Sequence, residues 1–295
     1  VADAVFLAVD WGTTNRRVYT IDADGAVIAT ERDDRGVLSI AADDFPAEVA
    51  GIRARFADLP MLCAGMVGSV RGWVEVPYLA CPVDLPDLAA GLHWVEPRTA
   101  IVPGLSTQTA RGDDVMRGEE VQLLGAAAAG LVPANALLCQ PGTHCKWVRM
   151  MDGKVDQFRT TMTGELFALL GRHSLLADFL TGAVIDGSAF RAGAAAAADA
   201  TLLSDLFAVR ASALLGTRPH DEAAAYVSGL LIGSDIREQK LARGQCVHLL
   251  ADPSLGSLYA AAIASVGALA VPVDSHAAFV AGITAIWREA HASTR

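Results

Sequence analysis

Short apolar runs closed by glycine, asparagine or aspartate recur along the chain, the pattern of buried strands joined by tight turns. Residues 5–9 form one run, 16–21 a second and 26–31 a third, with Asp22-Ala-Asp-Gly25 as a hairpin sequence between the last two. The layout returns later: 136–139 is apolar, 145–151 and 154–160 are strand-like, and Asp152-Gly153 supplies another hairpin turn. Gly12 precedes Gly25 by 13 positions and Gly142 precedes Gly153 by 11, so the two segments match in plan. This predicts an internal duplication of a strand, Gly-Thr turn, strand, Asp-Gly turn, strand unit.

Helical and mixed patterns fill the remainder. Between the copies the sequence predicts a helix from Asp43 or Asp44 with Pro46 in its first turn, a strand at 60–64 and a loop-rich stretch from Gly65 to Leu105. A helix over 113–130 follows, with apolar positions at 121, 123, 124 and 127. After the second copy come helices at 163–172, 185–197, 200–215 and 221–240, a strand at 246–250, a helix at 255–266, a strand at 269–273 and a final helix from about 275. Strands followed by helices in each half predict an α/β protein of two lobes, 1–112 and 113–295, hinged near 105–115. The last helix is a candidate to return to the first lobe.

Composition narrows the class. Hydropathy is high because of alanine, and the stretches 192–198 and 260–270 are interrupted before 18 apolar residues accumulate, so no membrane span is expected. Val1 to Val9 carries an aspartate and no basic residue, which does not fit a signal peptide; the expected compartment is the cytoplasm. A net charge of −10 without basic runs argues against nucleic acid or an anionic membrane as partner. An anionic small molecule would need a local basic pocket. Cys63, Cys81, Cys139, Cys145 and Cys246 form no CxxC pair and read as reduced, structural residues.

The Gly-Thr turns carry the chemistry. In Asp10-Trp-Gly12-Thr13-Thr14-Asn15, backbone N–H groups and hydroxyls can meet phosphate oxygens, and Asp10 at the strand end can hold Mg²⁺. A plain Asp-Gly turn remains the alternative. Gly142-Thr143-His144-Cys-Lys146 repeats the arrangement and adds a cation, which predicts one nucleotide gripped from two sides. No GxxxxGK[ST], GxGxxG after a strand, HExxH or GxSxG is present. Between the turns, Arg111-Gly-Asp-Asp-Val-Met-Arg-Gly-Glu-Glu120 concentrates four carboxylates, and phosphoryl transfer needs one to orient and deprotonate the attacking hydroxyl. Acidic residues also gather at helix starts for the macrodipole alone. The loop carrying Gly68, Ser69, Arg71, Trp73, Glu75 and Tyr78 suits a sugar-like ligand, or is a glycine-rich connection packed over aromatics.

Together these blocks resemble the 2-dehydro-3-deoxygalactonokinase family: Asp10-Trp-Gly-Thr-Thr-Asn15, Gly65-Met-Val-Gly-Ser69 with Gly72-Trp-Val-Glu75, Asp114-Val-Met-Arg-Gly-Glu-Glu120, Pro141-Gly-Thr-His-Cys-Lys-Trp147 and Thr161-Met-Thr-Gly-Glu-Leu-Phe167. The resemblance runs in order over almost the whole chain. It implies a two-lobed actin-like, duplicated ribonuclease-H-like fold with ATP between the lobes, the first lobe binding sugar acid and phosphate and the second the nucleotide. It also implies ATP- and Mg²⁺-dependent phosphorylation of 2-dehydro-3-deoxy-D-galactonate to its 6-phosphate in galactonate breakdown. Related sugar kinases place an aspartate base at a Gly-Asp-Gln helix start; here Glu119 after Gly118 ranks first and Asp114 second, with Asp113 and Glu120 behind. For adenosine the nearest matches are Gly256 and, on a helix, Gly229 with Gly233, which equally suit close packing. Arg16, Arg17 and Arg71 are the candidates for the substrate carboxylate. A same-fold kinase for another sugar acid or polyol and a non-catalytic nucleotide sensor stay open, as does the oligomeric state, a homodimer included.

Overall fold

The apolar runs become the centres of two sheets. A computed structural model describes residues 3–199 and 201–292. In chain order the first part contains β1 (Ala4–Trp11), β2 (Arg16–Asp22), β3 (Val27–Asp33), α1 (Phe45–Phe56), β4 (Met61–Gly65), β5 (Leu79–Ala80), α2 (Leu85–Ala90), β6 (His93–Glu96), β7 (Thr99–Ile101), β8 (Leu105–Thr109), β9 (Gly112–Met116) and α3 (Glu119–Ala128). Then come β10 (Ala136–Gln140), β11 (Cys145–Met151), β12 (Lys154–Thr161), α4 (Thr163–His173), α5 (Ser188–Ala196), α6 (Leu202–Leu214), α7 (Ala223–Glu238), β13 (Cys246–Leu250), α8 (Pro253–Ser265), β14 (Leu269–Val273) and α9 (Ser275–Ala292). Ala200, where the sequence pattern starts the helix predicted over 200–215, and Val1 and Ala2 of the leading segment lie outside the described residues. Among the described residues no helix is long and apolar enough to cross a membrane.

The duplication is visible in strand order. One sheet runs β3-β2-β1-β4-β7-β6 and the other β12-β11-β10-β13-β14. In each, a meander of three successive strands is extended by two parallel strands, with β6 added antiparallel at the edge of the first sheet, the repeated ribonuclease-H-like plan of the actin-like fold. Both predicted hairpins form where the turn chemistry demands: Gly25 sits at φ +88° with Asp22 Oδ1 accepting from the Asp24 and Ala26 N–H groups, and Asp152-Gly153 takes two successive positive φ values. The chain divides into two compact units. The first takes residues up to Asn135, the hairpin tip Arg149–Phe158 and the chain from Asp274 onward; the second takes Ala136–Val148 and Arg159–Val273. Thus α9 belongs to the first unit.

Packing in the first unit follows from spacing. On α1, Phe45, Val49 and Ile52 stand on one helical face and are fully buried with Leu7, Val9, Trp11, Met61, Cys63 and Ile101. Pro46 costs no hydrogen bond because it stands in the first turn. The exposed edge strand β3 carries Glu31, Arg32 and Asp33, charges that discourage edge pairing. In the second unit Trp147, Phe190, Ile236, Leu249, Tyr259 and Ile263 form the equivalent core.

Two expectations change. The stretch from 65 to 105 is not loop throughout: it contains β5, α2, β6 and β7. The helix predicted over 113–130 begins only at Glu119, because Gly112–Met116 pairs antiparallel with Leu105–Thr109 and Gly118, at φ +107°, breaks the chain direction. Local acidity suggested a helix start, and cross-strand pairing outweighed it. Gly229 is a packing residue: a Cβ there would lie 2.0 Å from the Phe190 carbonyl oxygen of α5.

Helix α3 reaches α9 through an equally close contact, since a Cβ at Gly125 would fall 2.0 Å from the Ala278 carbonyl oxygen and 2.5 Å from the Gly282 nitrogen. Gly125→Ala therefore lowers stability by about 3 kcal/mol in urea unfolding, the upper end of ordinary overpacking. Gly51→Ala, inside α1 where a Cβ meets nothing within 4 Å, raises it by about 0.5–1 kcal/mol.

Candidate active site

The turn after β1 is shaped by backbone alone. Gly12 N–H donates to the Asn15 carbonyl at 2.9 Å, while Val37 and Leu38 N–H groups donate to the Gly12 and Thr13 carbonyls at 3.0 and 3.2 Å. Gly36 lies so close beneath that a Cβ would sit 2.4 Å from the Thr13 oxygen. With its carbonyls used inward, the turn turns Thr13, Thr14 and Asn15 to solvent. They border a cavity of about 200 Å³ together with Asp10, Arg17 and Arg32.

Strand register decides which side chains share that cavity. Asp10, Arg17 and Arg32 lie in one row across β1, β2 and β3, hence on one face. Trp11, Arg16 and Asp33 form the next row and point to the other face. Arg16 is accordingly buried, bonded to Asp33 at 2.6 and 3.2 Å and to Glu48 at 3.1 Å, with its guanidinium 5.0 Å from the Trp11 ring centre. The expectation that Arg16 takes a substrate carboxylate is corrected, since two protein carboxylates already occupy it.

Glycines bring the acidic helix start to Asp10. Gly65, at φ +97°, ends β4 so close to β1 that a Cβ would come 2.7 Å from the Trp11 carbonyl oxygen; a Cβ at Gly118 would be 3.1 Å from the Gly65 Cα. Trp11, Gly65 and Gly118 thus meet backbone to backbone. Glu119 follows, its Oε2 accepting from Arg117 N–H at 3.1 Å, and Glu120 Oε2 accepts from Gly118 N–H at 2.6 Å. Burial, with the Glu119 charge adding to it and Arg17 and Arg32 opposing, raises the Asp10 carboxyl to about 6. Glu120 is wholly buried; that burial and then Glu119 push its carboxyl to about 8, against the pull of backbone N–H groups and Arg117. Glu119 is the partly exposed member of the pair. Asp113 and Asp114 stand apart from this junction on β9, Asp114 in register with Thr107.

The loop from Gly65 to Tyr78 is partly self-satisfied. Ser69 Oγ donates to the Met66 carbonyl at 2.7 Å, and Trp73 stacks on Phe45 with ring centres 6.2 Å apart. Both therefore brace the loop. Arg71 and Glu75 are exposed, Gly68 abuts Arg117, and Tyr78 covers the Arg117 guanidinium at 4.3 Å.

In the second unit, α4 starts against the Gly142–Lys146 turn. Glu165 N–H donates to the Thr143 carbonyl at 2.8 Å, its carboxylate meets His144 Nε2 at 2.6 Å, and a Cβ on Gly164 would lie 2.3 Å from the Gly142 oxygen. Lys146 is buried and donates to Thr160 Oγ1 at 2.8 Å. Beside Gly142 opens a recess with Phe167, Ser228, Leu231, Leu255 and Tyr259 among its walls. Neither Gly229 nor Gly256 lines it; their neighbours Ser228 and Leu255 do. Buried Asp235 ties these walls together, accepting from Trp147 Nε1 (2.8 Å), Thr163 Oγ1 (2.9 Å) and the Tyr259 hydroxyl (3.0 Å). Asp235 gave no sequence signal, being one aspartate inside a long alanine- and leucine-rich helix.

Comparison with known proteins accords with this geometry. The family model for 2-keto-3-deoxy-galactonokinase matches residues 10–286. The chain belongs to that family. It is 39% identical to a Rhizobium meliloti protein assigned as 2-dehydro-3-deoxygalactonokinase DgoK1, over 96% of both chains, and 36% identical to the 2-dehydro-3-deoxygalactonokinase of Escherichia coli K12, over 96% of this chain and 97% of that one. A crystal structure assigned to the same activity, from Sinorhizobium meliloti, superposes with a TM-score of 0.89 at 36% identity, covering 96% of this chain and 98% of that one. As a 2-keto-3-deoxy-galactonokinase family member the chain is a sugar-acid kinase, and the two Gly-Thr turns and the Gly118-Glu119-Glu120 junction all fall inside the matched span.

The buried Glu120 makes the stability of this kinase pH-dependent. The unfolded chain releases this proton near 4.5 and the folded chain near 8, so between these values the unfolded state holds fewer protons and stability falls as pH rises. Asp10 adds a fall of the same sign up to about 6. Urea midpoints of the wild type should therefore drop between about pH 6 and 8, and Glu120→Gln, which keeps an acceptor for Gly118 N–H, should flatten that segment.

Proposed function

We propose that the chain transfers the γ-phosphoryl group of ATP to the terminal hydroxyl of 2-dehydro-3-deoxy-D-galactonate, giving the 6-phosphate and ADP. The observation carrying this is the meeting of Asp10 and Glu119 beside a phosphate-type turn, in a chain that aligns with relatives of that named activity over 96% of its length. Glu119 accepts the proton of the attacking hydroxyl, whose oxygen forms a bond to the γ-phosphorus while the bond to the β-phosphate oxygen breaks. Thr13, Thr14 and Asn15 bind phosphate oxygens through N–H and hydroxyl groups, and Arg17 and Arg32 add positive charge from the same sheet face. On this reading the enzyme works in the cytoplasm on a small anionic substrate.

The donor set suits Mg²⁺. Asp10 offers a hard carboxylate whose burial raises the cost of its charge until a cation joins it, and Thr13 and Thr14 add hydroxyls. Held at Asp10, the ion supplies charge neutralisation at the phosphate oxygens. For the nucleoside we assign the recess beside Gly142: Phe167, Leu231, Leu255 and Tyr259 give apolar walls for a base and Ser228 a polar contact. Phosphates leaving it meet Gly142 and Thr143 near the N-terminus of α4, where the helix dipole favours anions.

An acceptor panel in an ADP-release assay tests the reading. Turnover is expected with the sugar acid and not with neutral hexoses; equal rates would remove the acid specificity, and ATP binding without any acceptor-dependent turnover would leave a nucleotide sensor. Glu119→Gln is expected to lower kcat by about 10²–10⁴ with the KM for ATP unchanged, while Asp114→Asn stays near wild type. The reverse pattern would move the base to Asp114.

A further inference from the structure

Among the described residues Arg117 is a buried cation that makes no ion pair. It joins β9 to α3, and its guanidinium turns under the Gly65–Tyr78 loop. There Nη2 donates to the Val76 carbonyl at 2.5 Å, the Tyr78 ring centre lies 4.3 Å away, and a Cβ on Gly68 would come within 2.9 Å of Nη1. Nε and Nη1 are buried and meet no hydrogen-bond acceptor. The residue as a whole is 8% exposed. A guanidinium keeps its charge throughout the accessible pH range, and desolvating it with N–H groups unmatched is unfavourable unless an anion completes the site.

The neighbouring carboxyl does not complete it. The Arg117 charge reaches Glu120, yet Glu120 Oε2 accepts from Gly118 N–H, its buried Oε1 meets no donor, Arg117 included, and its burial holds it protonated near neutral pH. What remains are two unmatched donors, Nε and Nη1, on separate edges of the guanidinium, each able to give a charge-assisted bond to one carboxylate oxygen. It stands two residues from Glu119, on the same rigid junction.

We propose that Arg117 binds the carboxylate of the sugar-acid substrate through an unmatched N–H group, beneath the Gly65–Tyr78 loop. The assignment rests on the kinase function above and replaces Arg16, which is fully engaged elsewhere. One short segment then addresses both ends of the acceptor: Arg117 the carboxylate and Glu119 the reacting hydroxyl. The spacing between them sets the chain length accepted, and the charge selects acids over neutral sugars. Because Nε and Nη1 are closed from solvent, the carboxylate reaches them only when the loop segment over Arg117 shifts.

Steady-state kinetics of Arg117→Met and Arg117→Lys test this, with the sugar acid and its uncharged primary amide as paired acceptors. The KM for the acid should rise by about 100-fold while the KM for ATP stays unchanged, and the preference for acid over amide should collapse. A second measurement needs no variant to fold: in the wild type, the Arg117 Nε–H resonance should shift on addition of the acid without nucleotide and stay in place with the amide. A folded Arg117→Met protein with the acid preference intact, or a resonance unmoved at saturating acid, overturns the assignment while leaving the kinase function standing. Wild-type protein that turns over no sugar acid at all overturns both.

Discussion

Gly65 lets the end of β4 lie against the end of β1 and the start of α3 with no side chain between them, and the candidate active site depends on that contact. Strand ends in an open α/β sheet are where ligands bind, but a strand end alone offers only a turn. The site gains its second carboxylate because Gly118 also lacks a Cβ, so the helix can begin against the Gly65 backbone. Any larger residue at either position would wedge Glu119 away from Asp10. Catalysis that depends on alignment is sensitive to displacements of an ångström.

Closeness has an electrostatic cost. Asp10, Glu119 and Glu120 crowd three carboxyl groups into a partly desolvated corner, relieved by Arg17 and Arg32 on one side and Arg117 on the other. The fold divides their labour by burial. Glu120 is sealed and serves as a neutral brace for Gly118, while Asp10 and Glu119 both stay partly exposed. Such separation of like groups by environment is how adjacent carboxyls take different roles.

The parts legible in the sequence are those governed by local chemistry. Asp-Gly turns, apolar runs and Pro46 set hairpins, strands and the first turn of α1 without help from distant residues. The strand β9 was hidden because Asp113 and Asp114 have poor intrinsic strand preference and take that form only through pairing with β8. Arg16 and Arg17 are adjacent, and choosing between them requires the cross-strand register: one position places a guanidinium among Asp33, Glu48 and Trp11, the next beside Asp10. Arg117 lay inside a conspicuous motif, yet its want of a partner is a property of the folded surroundings. Gly229 serves the packing of α7 on α5, and its neighbour Ser228 lines the recess beside Gly142.

Asp235 joins a tryptophan from β11, the first residue of α4 and a tyrosine from α8 to its own helix α7, so one carboxylate spans four elements of the second unit. Two of those bonded residues, Thr163 and Tyr259, also line the recess beside Gly142. That part of the wall is fixed before any ligand arrives, because these two side chains gave up their rotational freedom during folding. Selectivity there is then a matter of shape fixed in advance.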